Sequence, residues 1–246
     1  MAQEERIFGL HAVRTLLDRR PQAVISLTVQ AGRQDKRLQE ILELARPHGI
    51  PVHPRASAEL DAAAEGGVHQ GVVARVRPAP MLDERDLLDL VDGLGRPAFL
   101  LVLDGVTDPH NLGACLRTAD GAGIDCVIAP RDRAAGLTPT ARKVAAGAAE
   151  TVPFAQVTNL VRCLESLKQA GVWVVGTAGE ATDELYSVDL TGSLAIVMGA
   201  EGDGMRRLTR ETCDRLVKLP MAGAVESLNV SVATGVVLYE AVRQRR

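Results

Sequence analysis

Four short apolar runs in the second part of the chain do most to limit its fold: "AFLLVLD", "DCVIAP", "VWVVGT" and "SLAIVMG". Each has the length of a strand, and none alternates with polar residues. A strand that is apolar on both faces belongs inside a parallel sheet with helices packed above and below it. The intervening segments supply those helices: "NLGACLRTADGAG", "TPTARKVAAGAAE" and "NLVRCLESLKQAG". "RLVKLP" adds a last strand, and "SLNVSVATGVVLYEAVRQRR" a terminal helix. That helix is apolar nearly all round, which predicts burial. Strand–helix alternation of this kind predicts an α/β domain with a doubly wound, mainly parallel sheet over 98–246.

The first part of the chain reads differently. "GLHAVRTLLDRR" and "DKRLQEILELARPHG" have helical spacing, "AVISLTVQ", "IPVHP" and "QGVVARVRP" read as strands, and "SAELDAAAEGG" as a helix with Ser57 as its N-cap. The order α-β-α-β-α-β predicts a small α/β module over 1–77. Between the two lies "PAPMLDERDLLDLVDGLGRP", an acidic amphipathic helix between proline-rich ends, which reads as a linker over 78–97.

Composition excludes several classes. At 246 residues, 46% hydrophobic and 24% charged, the chain suits a soluble globular protein with a substantial core. No run approaches a membrane span, so no membrane association is expected. "MAQEERIFGLHAV" has no apolar stretch of the kind a secretory leader needs. Cys115, Cys126, Cys163 and Cys213 lie far apart among apolar neighbours, which predicts reduced core thiols in a cytoplasm and neither a disulfide framework nor a metal site. The net charge is −3, yet 11 of the 28 Lys and Arg fall within the first 77 residues against 9 of the 31 Asp and Glu. That mild basic excess suits a phosphate-facing module and equally a solvated mixed-charge surface. Aromatics make up 2%, so rows of stacking platforms cannot carry any RNA binding.

In open α/β sheets, ligands sit beyond the carboxyl ends of the strands. Three such ends carry unusual residues. "AFLLVLD" runs into "GVTDPHN", where Pro109 favours a helix start and Asn111 and Arg117 fall on the early turns. Asn111 reads as a cap or a site residue, Arg117 as a surface ion-pair partner or a phosphate clamp. "LAIVMGAEGDGM" places Glu201 among Gly199, Gly202 and Gly204. It is neither a Walker loop nor a GxGxxG fingerprint. It reads as a plain turn or as backbone that approaches a ligand closely. "LPMAGAVESLNVSVATG" leads from a strand through small residues to Ser227, Asn229 and Ser231 at a helix start, with Ser227 as the N-cap.

Together the three motifs, in this order, resemble those of the SpoU/TrmH (SPOUT) family of RNA ribose 2′-O-methyltransferases. "FGLHAV", "GRQDKRLQEI", "VHQGVVARV" and the "EAVRQRR" ending resemble a bacterial rRNA-directed member, so the likeness spans essentially the whole chain. The resemblance implies a C-terminal α/β-knot with a deep trefoil knot, and a small N-terminal RNA-binding domain. It implies a cytoplasmic homodimer that uses S-adenosyl-L-methionine and no metal. Its implied substrate is a guanosine ribose in the peptidyl-transferase region of 23S rRNA. It places Asn111, Arg117, Glu201, Ser227, Asn229 and Ser231 at the reaction centre, and the backbone around Gly199, Leu219 and Leu228 at the cofactor. Glu226, just before "SLNVS", departs from the small polar residue of close relatives.

Methyl transfer from a sulfonium is an in-line displacement, so the ribose oxygen must face the methyl carbon while its proton leaves. Arginine stays protonated and is a poor general base. Arg117 is therefore expected to anchor the adjacent phosphate and polarise the 2′-oxygen, with a phosphate oxygen, water or Glu201 taking the proton. Two rivals are a tRNA ribose methyltransferase and a non-catalytic rRNA-binding or ribosome-assembly protein; a nucleotide-dependent oxidoreductase lacks its fingerprint.

Overall fold

The computed structural model describes residues 4–64, 66–78 and 81–246. These fall into two units. The first holds the described residues of Met1–Pro80 together with Ala146–Thr151; the second holds Met81–Ala145 and Val152–Arg246.

In the first unit the chain runs β1 (Glu5–Phe8), α1 (Leu10–Arg19), β2 (Val24–Gln30), α2 (Lys36–Ala45), β3 (Val52–Arg55), α3 (Ser57–Ala63) and β4 (Val72–Val76). The sheet order is β1-β4-β2-β3. β4 is antiparallel to both neighbours, and β2 and β3 are parallel. α1 and α2 bury Val13, Leu16, Leu17, Leu38 and Ile41 with Leu27 and Val29 of β2 and Ala74 of β4. α2 starts at Asp35, whose carboxylate accepts the Arg37 and Leu38 amides and is held below its usual pKa by its hydrogen bond with Arg33. Two expectations change. The module opens with a strand: β1 is a four-residue edge strand, too short for its alternation to register in the sequence. Ser57 is the first helical residue, and Ala56 holds the cap position with no side-chain hydrogen bond.

The second unit contains α4 (Glu84–Gly93), β5 (Phe99–Asp104), α5 (Pro109–Ala122), β6 (Cys126–Pro130), α6 (Pro139–Ala145) and, after α7 (Ala148–Thr151) of the first unit, β7 (Phe154–Val157) and α8 (Leu160–Gln169). β8 (Trp173–Thr177), β9 (Asp183–Glu184), β10 (Leu194–Gly199), α9 (Arg207–Thr212), β11 (Arg215–Lys218) and α10 (Val230–Gln244) complete it. The sheet has seven strands in the order β7-β6-β5-β10-β8-β11-β9, and every pairing is parallel. β10 lies between β5 and β8, two strands made before it. This inserted order is consistent with an α/β-knot.

β5 is buried along its whole length. Leu100 and Val102 pack with Val174, Ala195 and Val197 and with Leu160, Cys163, Leu164 and Leu167 of α8. Leu87 of α4 joins this cluster, so the stretch expected to be a linker carries a helix anchored in the core. Arg162 and Glu84 tie α8 to α4 through an ion pair of 2.8 Å. The helix expected over "TPTARKVAAGAAE" breaks at Ala146 and Gly147, whose φ values are 52° and 98°. The short β9 and α9 carried no readable period. Cys115, Cys126 and Cys163 are buried and Cys213 partly so; all are free thiols. Burial pushes Cys115 up to about 11 and Cys163 and Cys213 up to about 12, and Cys126 higher still. Among the described residues, no helix is long and apolar enough to cross a membrane.

Candidate active site at the carboxyl edge of the sheet

β5 and β10 run in register, and their last residues, Asp104 and Gly199, are partners. Both chains then leave the same edge. After β5, Gly105 turns with φ 82° and Asp108 caps α5 by accepting the His110 amide at 3.0 Å, with Pro109 at the first helical position. Asp108 rather than Asn111 is thus the cap, which frees the Asn111 side chain for another partner. Arg117 lies six residues beyond Asn111, about 9 Å along the helix axis. It is exposed, and among the described residues it has no hydrogen bond or ion pair.

After β10 the chain folds back on itself. Ala200 and Gly204 exchange backbone hydrogen bonds, both of 3.0 Å. A Cβ on Gly199 would lie 2.2 Å from the Gly204 carbonyl carbon and 2.3 Å from the Met205 nitrogen. Only glycine lets the turn close so tightly onto the strand end. The turn projects Glu201 toward α10, where its Oε1 accepts the Val230 amide at 3.2 Å and the Asn229 side-chain amide. A carboxylate there satisfies an open helix N–H and complements the positive end of the helix dipole.

The third motif delivers Asn229. Here the structure corrects the sequence reading: α10 begins at Val230, and Asn229, not Ser227, is its N-cap. Asn229 Oδ1 accepts from the Ser231 amide at 2.9 Å and from the Ser231 hydroxyl at 2.6 Å. Its Nδ2 donates to Asn111 Oδ1 at 3.0 Å and to Glu201. Three residues, from the first turn of α5, the glycine turn after β10 and the first turn of α10, thus meet on the Asn229 side-chain amide. That amide is fully engaged, so Asn229 holds the others in place. Four groups lack a hydrogen bond among the described residues: the second oxygen of Glu201, Asn111 Nδ2, the Ser227 hydroxyl and the Arg117 guanidinium. Arg117 and Ser227 are exposed and are not bonded into the cluster.

α10 is not buried all round. Val230, Thr234, Val237, Leu238 and Ala241 are covered, whereas Val232 and Tyr239 are 53% and 51% exposed. Thr234 Oγ1 lies 3.6 Å from Cys115 Sγ, where α10 packs alongside α5. The sequence reading also passed over Asp104 and Arg206. Asp104 Oδ2 accepts the Arg206 amide at 2.8 Å, and the available signal was a single charge closing an apolar strand.

S-adenosylmethionine needs backbone donors and acceptors for its adenine and polar groups for its amino-acid end. Between β11 and Asn229, residues 220–228 make no backbone–backbone hydrogen bond among the described residues. Residues 222–228 are exposed, so their amides and carbonyls are open on the stretch of chain that leads into Asn229. The residues present fit the group. Leu219 is partly exposed and Leu228 is 37% exposed.

Residues 98–239 match the SpoU rRNA Methylase family, and residues 6–82 match the family described as RNA 2′-O ribose methyltransferase substrate binding. A protein of Vibrio vulnificus named 23S rRNA (guanosine-2′-O-)-methyltransferase RlmB is 59% identical over 98% of this chain and 97% of its own length. A protein of the same name from Pseudomonas putida is 59% identical over 100% and 99%. Among solved structures, the SpoU methyltransferase AviRb from Streptomyces viridochromogenes, in complex with the cofactor AdoMet, superposes with a TM-score of 0.77 at 25% identity over 98% of this chain and 90% of that one. By both its sequence and its fold, the chain belongs to the SpoU rRNA methylase family.

Proposed function

We propose that this chain transfers a methyl group from S-adenosylmethionine to the 2′-oxygen of a guanosine ribose in 23S rRNA. The observation that carries this is the meeting of Asn111, Glu201 and Ser231 on Asn229, with open polar groups left around them. The relatives' names supply the nucleotide and the rRNA. A ribose hydroxyl as acceptor also separates RNA from DNA.

When bound, S-adenosylmethionine supplies the methyl group, carried on a sulfonium. In this reading the backbone around Gly199, Leu219 and Leu228 holds it. Arg117 pairs with the phosphate beside the target ribose and polarises the 2′-oxygen; its exposed guanidinium has no partner among the described residues to give up first. Asn111 uses its open Nδ2 to orient the ribose. Glu201 keeps one oxygen on the α10 N-terminus and offers the other as an acceptor for the hydroxyl proton. Asn229 and Ser231 hold the loop in which these groups sit, and Ser227 offers its open hydroxyl to substrate or cofactor. Placing the two substrates in near-attack geometry contributes up to roughly 7–11 kcal/mol in favourable cases.

The working unit in this reading is a cytoplasmic homodimer. Val225, Leu228, Val232 and Tyr239 are 65%, 37%, 53% and 51% exposed, and four apolar side chains within 15 residues suit a partner surface. Light scattering on the purified protein should give twice the chain mass, and a monomer would remove this part. Incubation with 23S rRNA and methyl-labelled S-adenosylmethionine tests the chemistry. Label on the 2′-oxygen of one guanosine is the expected result. Label on a base, or on tRNA alone, would overturn it.

A further inference from the structure

We propose that Asp104 and Arg206 form a positioning pair that sets the place of Glu201. The inference rests on the methyl-transfer reading, because it concerns how that site is held. Asp104 is fully buried at the end of β5. Its register partner is Gly199, where the glycine turn leaves β10. Its Oδ2 accepts the backbone amide of Arg206, where the same turn ends. One carboxylate thus stands beside the entry of the turn and bonds its exit. The Arg206 side chain bends back over the same group, with Nε 3.4 Å from Asp104 Oδ1. Its Nη2 donates to the Asp132 carbonyl at 3.3 Å, in the loop that follows β6.

Glu201 needs such a clasp. Its turn contains Gly202 and Gly204 at φ 82° and 68°, and only the Ala200–Gly204 pair bonds it internally. Glycines leave a turn free to wander unless its ends are fixed. Asp104 Oδ1 has no hydrogen-bond partner among the described residues and is served only by the guanidinium. A buried carboxylate so sparsely served is weak evidence for stability. Its geometric effect is direct, since it fixes where the loop bearing Glu201 begins and ends. Glu201 in turn bonds Asn229 and the first amide of α10.

The test is a cycle of Arg206→Gln and Glu201→Gln, alone and combined, in the full-length protein. Arg206 is exposed, and Arg206→Gln leaves the backbone bond to Asp104 in place, so this variant is expected to fold, with the circular-dichroism spectrum and Tm as the check. Arg206→Gln should lower kcat by up to about 100-fold with KM for rRNA nearly unchanged, because a displaced reacting group loses rate rather than binding. In the Glu201→Gln background the same change should have almost no further effect. Arg206→Lys should recover part of the loss. Deuterium uptake by residues 199–206 should quicken in Arg206→Gln. A loss confined to KM, as for a direct phosphate contact, would overturn the pair's role, as would losses that multiply in the double variant. Unchanged deuterium uptake would overturn it even if the wild-type protein transferred no methyl group, a result that separately sinks the methyl-transfer reading.

Discussion

The two ends of α10 both carry dense polar networks, yet they differ in what they leave open. At the C-terminal end, Glu240 accepts two bonds from Arg243, of 2.9 and 2.8 Å, and one from Gln244 of 2.8 Å. Gln244 also donates to the Val188 carbonyl and accepts the Leu190 amide. Arg245 bonds the Leu190 carbonyl and lies 4.2 Å from the centre of the Phe99 ring. These groups are spent on joining the helix to residues 188–192 and to the sheet. At the N-terminal end, Asn229 is equally spent, but Glu201, Asn111 and Ser227 each keep a polar group without a hydrogen bond among the described residues, as does the side chain of Arg117 on α5, the helix that presents Asn111. Polar density alone therefore does not mark a reactive site. In the proposed reading, unspent donors and acceptors held by a saturated neighbour do.

Arg117→Ala is the sharpest way to break this comparison. It removes an exposed cation with no partner among the described residues, so stability should hold, while kcat should fall by about 10²–10³-fold, as on losing a charge-stabilising donor. A methylation rate within a few-fold of wild type would show that the open guanidinium on the helix that presents Asn111 has no bearing on chemistry. Gly199→Ala comes next. Its methyl group would meet backbone at 2.2 Å, so the turn must move and carry Glu201 with it. A loss of about 1–3 kcal/mol in stability is expected, with a rate loss that outlasts any rescue of folding by lower temperature. Asn229→Ala removes the helix cap and the hub together. The cap alone is worth about 1 kcal/mol, a fall of about 2–4 °C in Tm for a chain of this size. The rate should fall further than that stability loss explains.

Much of this was readable in the chain. Fully apolar runs such as "AFLLVLD" can sit comfortably only inside a parallel sheet, so β5, β6, β8 and β10 follow from hydrophobicity alone. β1, β9 and α9 span under two turns of helix or two to four residues of strand, too short for a period to show. The cap of α10 was misread because Ser227 and Asn229 are both good cap residues. What decides between them is tertiary: Asn229 also reaches Asn111 and Glu201, and a serine hydroxyl is too short to bridge three loops. The β10 insertion between β5 and β8 is likewise a matter of topology, which no local pattern encodes. Asp104 looked like the end of a strand because its partner, Arg206, is 102 residues away.

The smallest effect, and the sharpest contrast, belongs to Glu240→Gln. The hydrogen bonds from Arg243, then Gln244, hold the Glu240 carboxyl at about 2, against 4.5 for an ordinary glutamate. Between those values the unfolded chain binds a proton that the folded chain does not, so stability rises with pH through this window. The contribution is complete above about 4.5 and is lost as pH falls toward about 2. Glu240→Gln should therefore lower Tm at pH 7, and the gap to wild type should close as the buffer is taken from pH 4.5 downward. Methyl transfer at neutral pH should stay within about twofold, because Glu240 lies at the opposite end of α10 from Asn229 and distant sites act nearly independently. If Glu240→Gln cost as much rate as Asn229→Ala, the C-terminal network would be transmitting to the site along α10. The division between a closed end and an open one would then describe bonding and not function.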